Sequence, residues 1–146
     1  MKVMEELAER AVEAARIWDL ELDYSAESLE KVDALMQMLF MENMSHSLSE
    51  NTLLATANFY GAYLGEVLLR CGLKDLDFAW MEGEDGEIGI GKEDFWMAPV
   101  SKVYKRVTQG PYHDLTDFFE IVFGMAIGAV DMDDPRIHVL SEGEAV

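Results

Sequence analysis

The chain has one cysteine, Cys71, so no disulfide can form within it and the core alone has to hold the fold. That usage fits a reducing compartment, and the cytoplasm is the expected location. Basic residues are scarce: 11 Lys and Arg stand against 29 Asp and Glu, a net charge of −18. A field of that sign repels nucleic acid and anionic membrane, and it draws in basic partners. Long apolar runs are missing too. The longest, residues 121–130, is too short to cross a bilayer. The N-terminus is acidic and amphipathic, unlike the basic segment and apolar run of a signal peptide. His46, His113 and His138 lie too far apart for metal-ligand spacing. Asp131, Asp133 and Asp134 look like half of a calcium loop, but Pro135 follows and the glycine and distal Glu are absent. No nucleophile elbow, phosphate loop or dinucleotide fingerprint appears. The expectation is therefore no metal, no cofactor, no nucleic-acid or membrane partner and no assigned catalytic residue. The balance leans against an enzyme.

What is present reads as a single α+β domain over residues 1–146, with residues 131–146 expected as a flexible acidic tail. A first helix spans 2–18, with Val3, Leu7, Ala11, Ala14 and Trp18 as its core stripe. Leu20, Leu22 and Tyr24 then alternate with acids, which suggests a short extended piece. Ser25 can cap a second helix, about 26–42, and the polar stretch from Met41 to Ser49 reads as a loop. Ser47 or Ser49 caps a third helix, about 50–71, whose apolar stripe ends on a buried Cys71. Beyond Gly72 the period changes to two. Leu76, Phe78 and Trp80 make a strand, Asp85-Gly86 a hairpin turn, Ile88–Ile90 the return and Asp94–Met97 a third piece. A helix over 99–109 ends at Gly110-Pro111. Asp114 caps the last helix, about 115–130, which is apolar almost all round and so belongs in the core or in an oligomer interface. Ile137–Leu140 could add an edge strand. The sum is an α+β fold: four or five helices packed on a small antiparallel two- or three-stranded sheet.

Three features invite a functional reading. Gly61 and Gly65 sit one turn apart on the third helix, where each Gly costs about 1 kcal/mol. Close helix packing explains them, with Gly124 and Gly128 as the matching pair. Glu66 and Arg70, also one turn apart, form an ordinary ion pair. Lys102, Lys105 and Arg106 fall at i, i+3 and i+4 beside Tyr104 and make one cationic face, either an anion site or a solvated surface.

Three stretches together resemble a family of small bacterial proteins classed as a domain of unknown function. They are Leu-Asp-Tyr-Ser at Leu22 to Ser25, Gly-Ala-Tyr-Leu-Gly-Glu-Val at Gly61 to Val67, and Pro-x-x-Lys-Val-x-Lys-Arg from Pro99. The resemblance covers about residues 20–125 and implies a bacterial, intracellular α+β domain. It carries over no catalytic residue.

The leading functional expectation is a non-enzymatic interaction or regulatory module, of the immunity-protein kind, whose acidic surface holds a basic partner. An alternative is a ligand-binding protein or enzyme with a pocket between the Gly61–Glu66 helix and the β region, built from Tyr63, Glu66, Trp80, Trp96 and Lys102. A third reading makes the chain a homodimer through the 115–130 helix.

Overall fold

Capping and periodicity place most elements of the computed structural model, which describes residues 1–93 and 95–128. Among these are five α-helices and a three-stranded antiparallel sheet, an α+β fold. The first helix, α1 (Lys2–Ala15), buries Met4, Ala8, Ala11, Val12 and Ala15. That stripe lies to one side of the expected one, and it leaves Val3 and Trp18 exposed. Trp18 belongs to a separate 3-10 turn, Arg16–Trp18, closed by Asp19 at φ 59°.

The expected extended piece at Leu20–Tyr24 is a loop. Tyr24 takes φ 64°, and its N–H donates to the Tyr63 hydroxyl at 2.8 Å, so a side chain fills the role of a strand partner. The Ser25 hydroxyl accepts the Ser28 N–H at 3.2 Å and opens α2 (Ser28–His46). This helix runs past its expected end because Met41, Glu42 and Met44 are good helix formers and no Gly or Pro interrupts them. It stops where Ser47 turns left-handed at φ 52°, and Asn43 Oδ1 accepts the Leu48 N–H at 2.9 Å.

Ser49 caps α3 (Glu50–Arg70) by accepting the Thr52 N–H at 3.2 Å. From Tyr60 to Leu69 every residue of α3 is buried, with α1 and α4 among the elements against it, so it is the axis of the core. The helix emerges at its last turn. Cys71 is consequently exposed, not buried. Partial burial of its thiol and the nearby Glu27 carboxylate still raise its pKa above the ordinary value, which disfavours thiolate chemistry.

The expected first strand is shorter than its pattern, because Leu76 joins a 3-10 turn (Leu73–Leu76). The strands are β1 (Ala79–Glu82), β2 (Ile88–Lys92) and β3 (Phe95–Met97), in the order β1-β2-β3. Trp80 faces Ile90 across one ladder, and Gly91 faces Trp96 across the other. The remaining helices are α4 (Pro99–Gln109) and α5 (Leu115–Ala126). Gly110, at φ 98°, ends α4, and Asp114 caps α5 by accepting the Asp117 N–H at 2.9 Å. α5 stops at Ala126, short of 130, and turns Leu115, Phe118, Ile121 and Val122 into the chain's own core. The tail at 131–146, the Ile137–Leu140 strand, the Asp131–Asp134 cluster and Asp94 lie outside the described residues.

Candidate functional site

Close packing accounts for the two helix glycines, but not against the predicted partner. A Cβ at Gly61 would stand 2.4 Å from the Cα of Val100, at the start of α4. One at Gly65 would stand 2.1 Å from the Trp80 ring. The expected pairing with Gly124 and Gly128 does not form, because α4 and β1 occupy that face of α3. Trp80, laid over Gly65, donates its Nε1–H to Glu66 Oε2 at 2.8 Å. Arg70 donates Nε–H to the other oxygen at 3.1 Å, as its spacing predicts. The Arg70 guanidinium also lies 3.6 Å from the Tyr24 ring centroid. Glu66 is 4% exposed and both of its oxygens are bonded, so this carboxylate anchors the sheet to α3. A concavity of about 400 Å³ beside it includes Glu66, Arg70 and Trp80 in its walls.

The other residues of the expected pocket are elsewhere. Tyr63 packs against Tyr24, with its hydroxyl 2.6 Å from Ser28 Oγ. Burial raises the pKa of Tyr24, Tyr60 and Tyr63, and at Tyr24 the Glu9 carboxylate adds to the effect. A raised folded-state pKa contributes stability that is fully present below the ordinary tyrosine value of 10.0 and lost as pH climbs through the folded value. Stability is therefore expected to decline above pH 10.0. Tyr24→Phe and Tyr63→Phe should flatten that decline in urea midpoints measured on either side of it; an unchanged slope in both would refute the linkage.

The cationic face is overturned. Lys102 is 0% and Arg106 1% exposed, and Lys105 is half-buried. Lys102 and Arg106 are turned inward, and Lys105 lies at the margin of the buried face of α4. Arg106 donates Nε–H to Asp33 Oδ1 at 2.9 Å, and Nη2–H to Asp33 Oδ2 at 3.2 Å and Gln37 Oε1 at 2.8 Å. Asp33 Oδ1 also accepts the Leu115 N–H at 3.0 Å, so one carboxylate joins α2, α4 and α5. Lys102 Nζ stands 3.0 Å from His113 Nδ1. With an ammonium as donor, the ring accepts there, and its Nε2–H donates to Gln109 Oε1 at 2.9 Å.

Trp96 belongs to a different surface. At the hairpin the loop is wider than the expected two-residue turn: Gly83 N–H donates to Glu87 O at 2.7 Å, and Gly86 takes φ 85°. Asp85 Oδ1 accepts the Glu87 N–H at 3.0 Å. Glu82, Glu84, Asp85, Glu87 and Glu93 surround a concavity of about 600 Å³, and Met81, Phe95 and Trp96 supply its apolar wall. Among the described residues no Lys or Arg lines it. Trp96 lies across β2 at Gly89, where a Cβ would come within 2.6 Å of its ring.

Beside the same loop is an apolar groove of about 490 Å³, which shares Glu87 with the acidic cup. Val3 and Leu7 of α1, Leu54 of α3, and Val100 and Tyr104 of α4 form its walls. The acids of the hairpin are visible in the sequence, but the groove is not, since it draws three residues each from α1, α3 and α4 and three more from the hairpin loop and the start of β2. Among the described residues, no helix is long and apolar enough to cross a membrane, and no cluster of three or more His, Cys, Asp or Glu could hold a metal ion. No protein-family model, curated protein or solved structure matches the chain.

Proposed function

We propose that this chain is a non-enzymatic protein-interaction module, regulatory in the manner of an immunity protein, that holds a basic partner in the acidic hairpin cup. The hairpin cup carries the reading: five carboxylates, Glu82, Glu84, Asp85, Glu87 and Glu93, surround it, and among the described residues no Lys or Arg lines it. The two cations taken into the fold, Lys102 and Arg106, are matched by two acids, Glu66 and Asp33, so the surface keeps the strong negative excess of the composition. At the cup, carboxylates flank the aromatic faces of Phe95 and Trp96. A partner's guanidinium or ammonium placed there meets both ion pairing and cation–π attraction, the latter about 0.5–2 kcal/mol. The net charge of −18 steers such a partner from a distance, and salt weakens that steering.

The test uses a labelled oligolysine peptide and its fluorescence anisotropy. Binding is expected at low ionic strength and should weaken steadily as salt rises. The triple variant Glu82→Gln, Glu84→Gln, Asp85→Asn should weaken it several-fold without moving the unfolding midpoint, because all three side chains are exposed. Binding that ignores salt would remove the electrostatic reading. Equal binding by the triple variant would remove the hairpin as its site.

A further inference from the structure

We infer that the apolar groove beside the hairpin receives a large apolar side chain of that same partner segment, so that the partner presents an amphipathic stretch with Lys or Arg next to Leu, Phe or a similar residue. The inference rests on the reading of the hairpin cup as a site for a basic partner. Size is the first observation: about 490 Å³ falls within the range of sites that enclose small groups. The second is the way apolar surface is distributed. Met4 and Ala57 form a buried floor, whereas Val3 and Leu54 at the walls remain 49% and 46% exposed. Covering that surface stabilises a complex by about 25 cal/mol per Å² before the costs of association.

Charge selects the occupant. Glu87 belongs to both the groove and the cup, and Glu50 accepts the hydroxyl of Tyr104 in the groove wall at 3.0 Å. A second copy of the chain would bring another −18 to this surface. Residues 129–146 carry Asp131, Asp133, Asp134, Glu142 and Glu144 against Arg136 alone, so they are acidic as well. Both are repelled where a basic segment is attracted. Because cup and groove meet at Glu87, a single segment can place cations in the one and an apolar side chain in the other.

Two labelled peptides of equal charge separate the contributions: a Leu/Lys peptide with helical amphipathic spacing, and the same peptide with every Leu replaced by Ser. At physiological salt the Leu peptide should bind about tenfold more tightly, the equivalent of one apolar side chain buried. Asn58→Trp, at an exposed position of the groove, should fill it and remove that preference. Leu54→Ser strips one wall and serves as a second variant should the first disturb folding. Both are expected to leave binding of the Ser peptide unchanged. If the Leu peptide gains nothing, or keeps its advantage in both variants, the groove inference is overturned and the hairpin reading stands. If neither peptide binds, the hairpin reading fails and the groove inference falls with it.

Discussion

Asp33→Ala is expected to destabilise the protein by about 3–5 kcal/mol, the cost of breaking a buried ion pair by removing one partner. The side chains of Arg106 and Asp33 are 2% and 15% exposed, so water can replace only a small part of the lost bonding. Arginine stays charged at any accessible pH, leaving a guanidinium held by Gln37 alone. Its Nη1 is already a buried nitrogen without a hydrogen-bond partner, so the site has no slack acceptor to offer. The Leu115 N–H loses its acceptor in the same substitution. The double variant Asp33→Ala, Arg106→Met should recover most of the loss, because a hydrophobic side chain of similar length removes the orphaned charge. Urea midpoints of the two single variants and the double variant give the coupling directly. A loss under about 1 kcal/mol for Asp33→Ala would mean that the pair behaves as a solvent-screened surface bridge.

Gly61→Ala should also destabilise, by about 1–3 kcal/mol and toward the upper end. This runs against local propensity, which favours Ala over Gly in a helix by about 1 kcal/mol. The obstruction is the backbone of α4 at Val100, and a main-chain atom cannot rotate aside. Gly65→Ala meets the Trp80 ring instead. The two therefore differ in what rescues them. Trp80→Leu is itself destabilising, because it frees a buried Glu66 oxygen, but Gly65→Ala should cost less in that background than in the parent, whereas Val100→Ala should change the cost of Gly61→Ala little because the Cα remains. Thermal unfolding of the four single variants and the two double variants decides the matter. A Gly61→Ala protein as stable as the parent would show that α4 can shift away from α3 at little cost.

Local chemistry made most of the helices legible. Ser49 and Asp114 are caps wherever they fold, Pro99 fits a first helical turn, and Gly110-Pro111 cannot continue a helix. Features that depend on a distant partner were not legible. Tyr24 sits in an alternating pattern, but its N–H goes to a hydroxyl 39 residues away. Lys102 and Arg106 have the spacing of a solvated cationic face, and nothing on α4 says which way that face points. The available cue lay on another helix: Asp33 and Gln37, one turn apart among the apolar positions of α2, form a polar pair awaiting a buried donor. For the hairpin, the carboxylates could be read from the sequence. The placing of Trp96 over Gly89 could not, because it requires the ladder between β2 and β3.

The bonds at Asp33 also bear on the order in which the chain can fold. They join it to Arg106, 73 residues along the chain, and to Leu115, 82 residues along. Loop closure over such lengths costs entropy before any bond repays it, and non-local contacts of this kind slow folding. The first turn of α5 gains its second carboxylate only when early and late thirds of the chain have met. α1, α2 and α3 precede that event in sequence and can consolidate around the buried stretch of α3 as they emerge from synthesis. In that order α5 would dock on a surface that already holds its acceptor, Asp33.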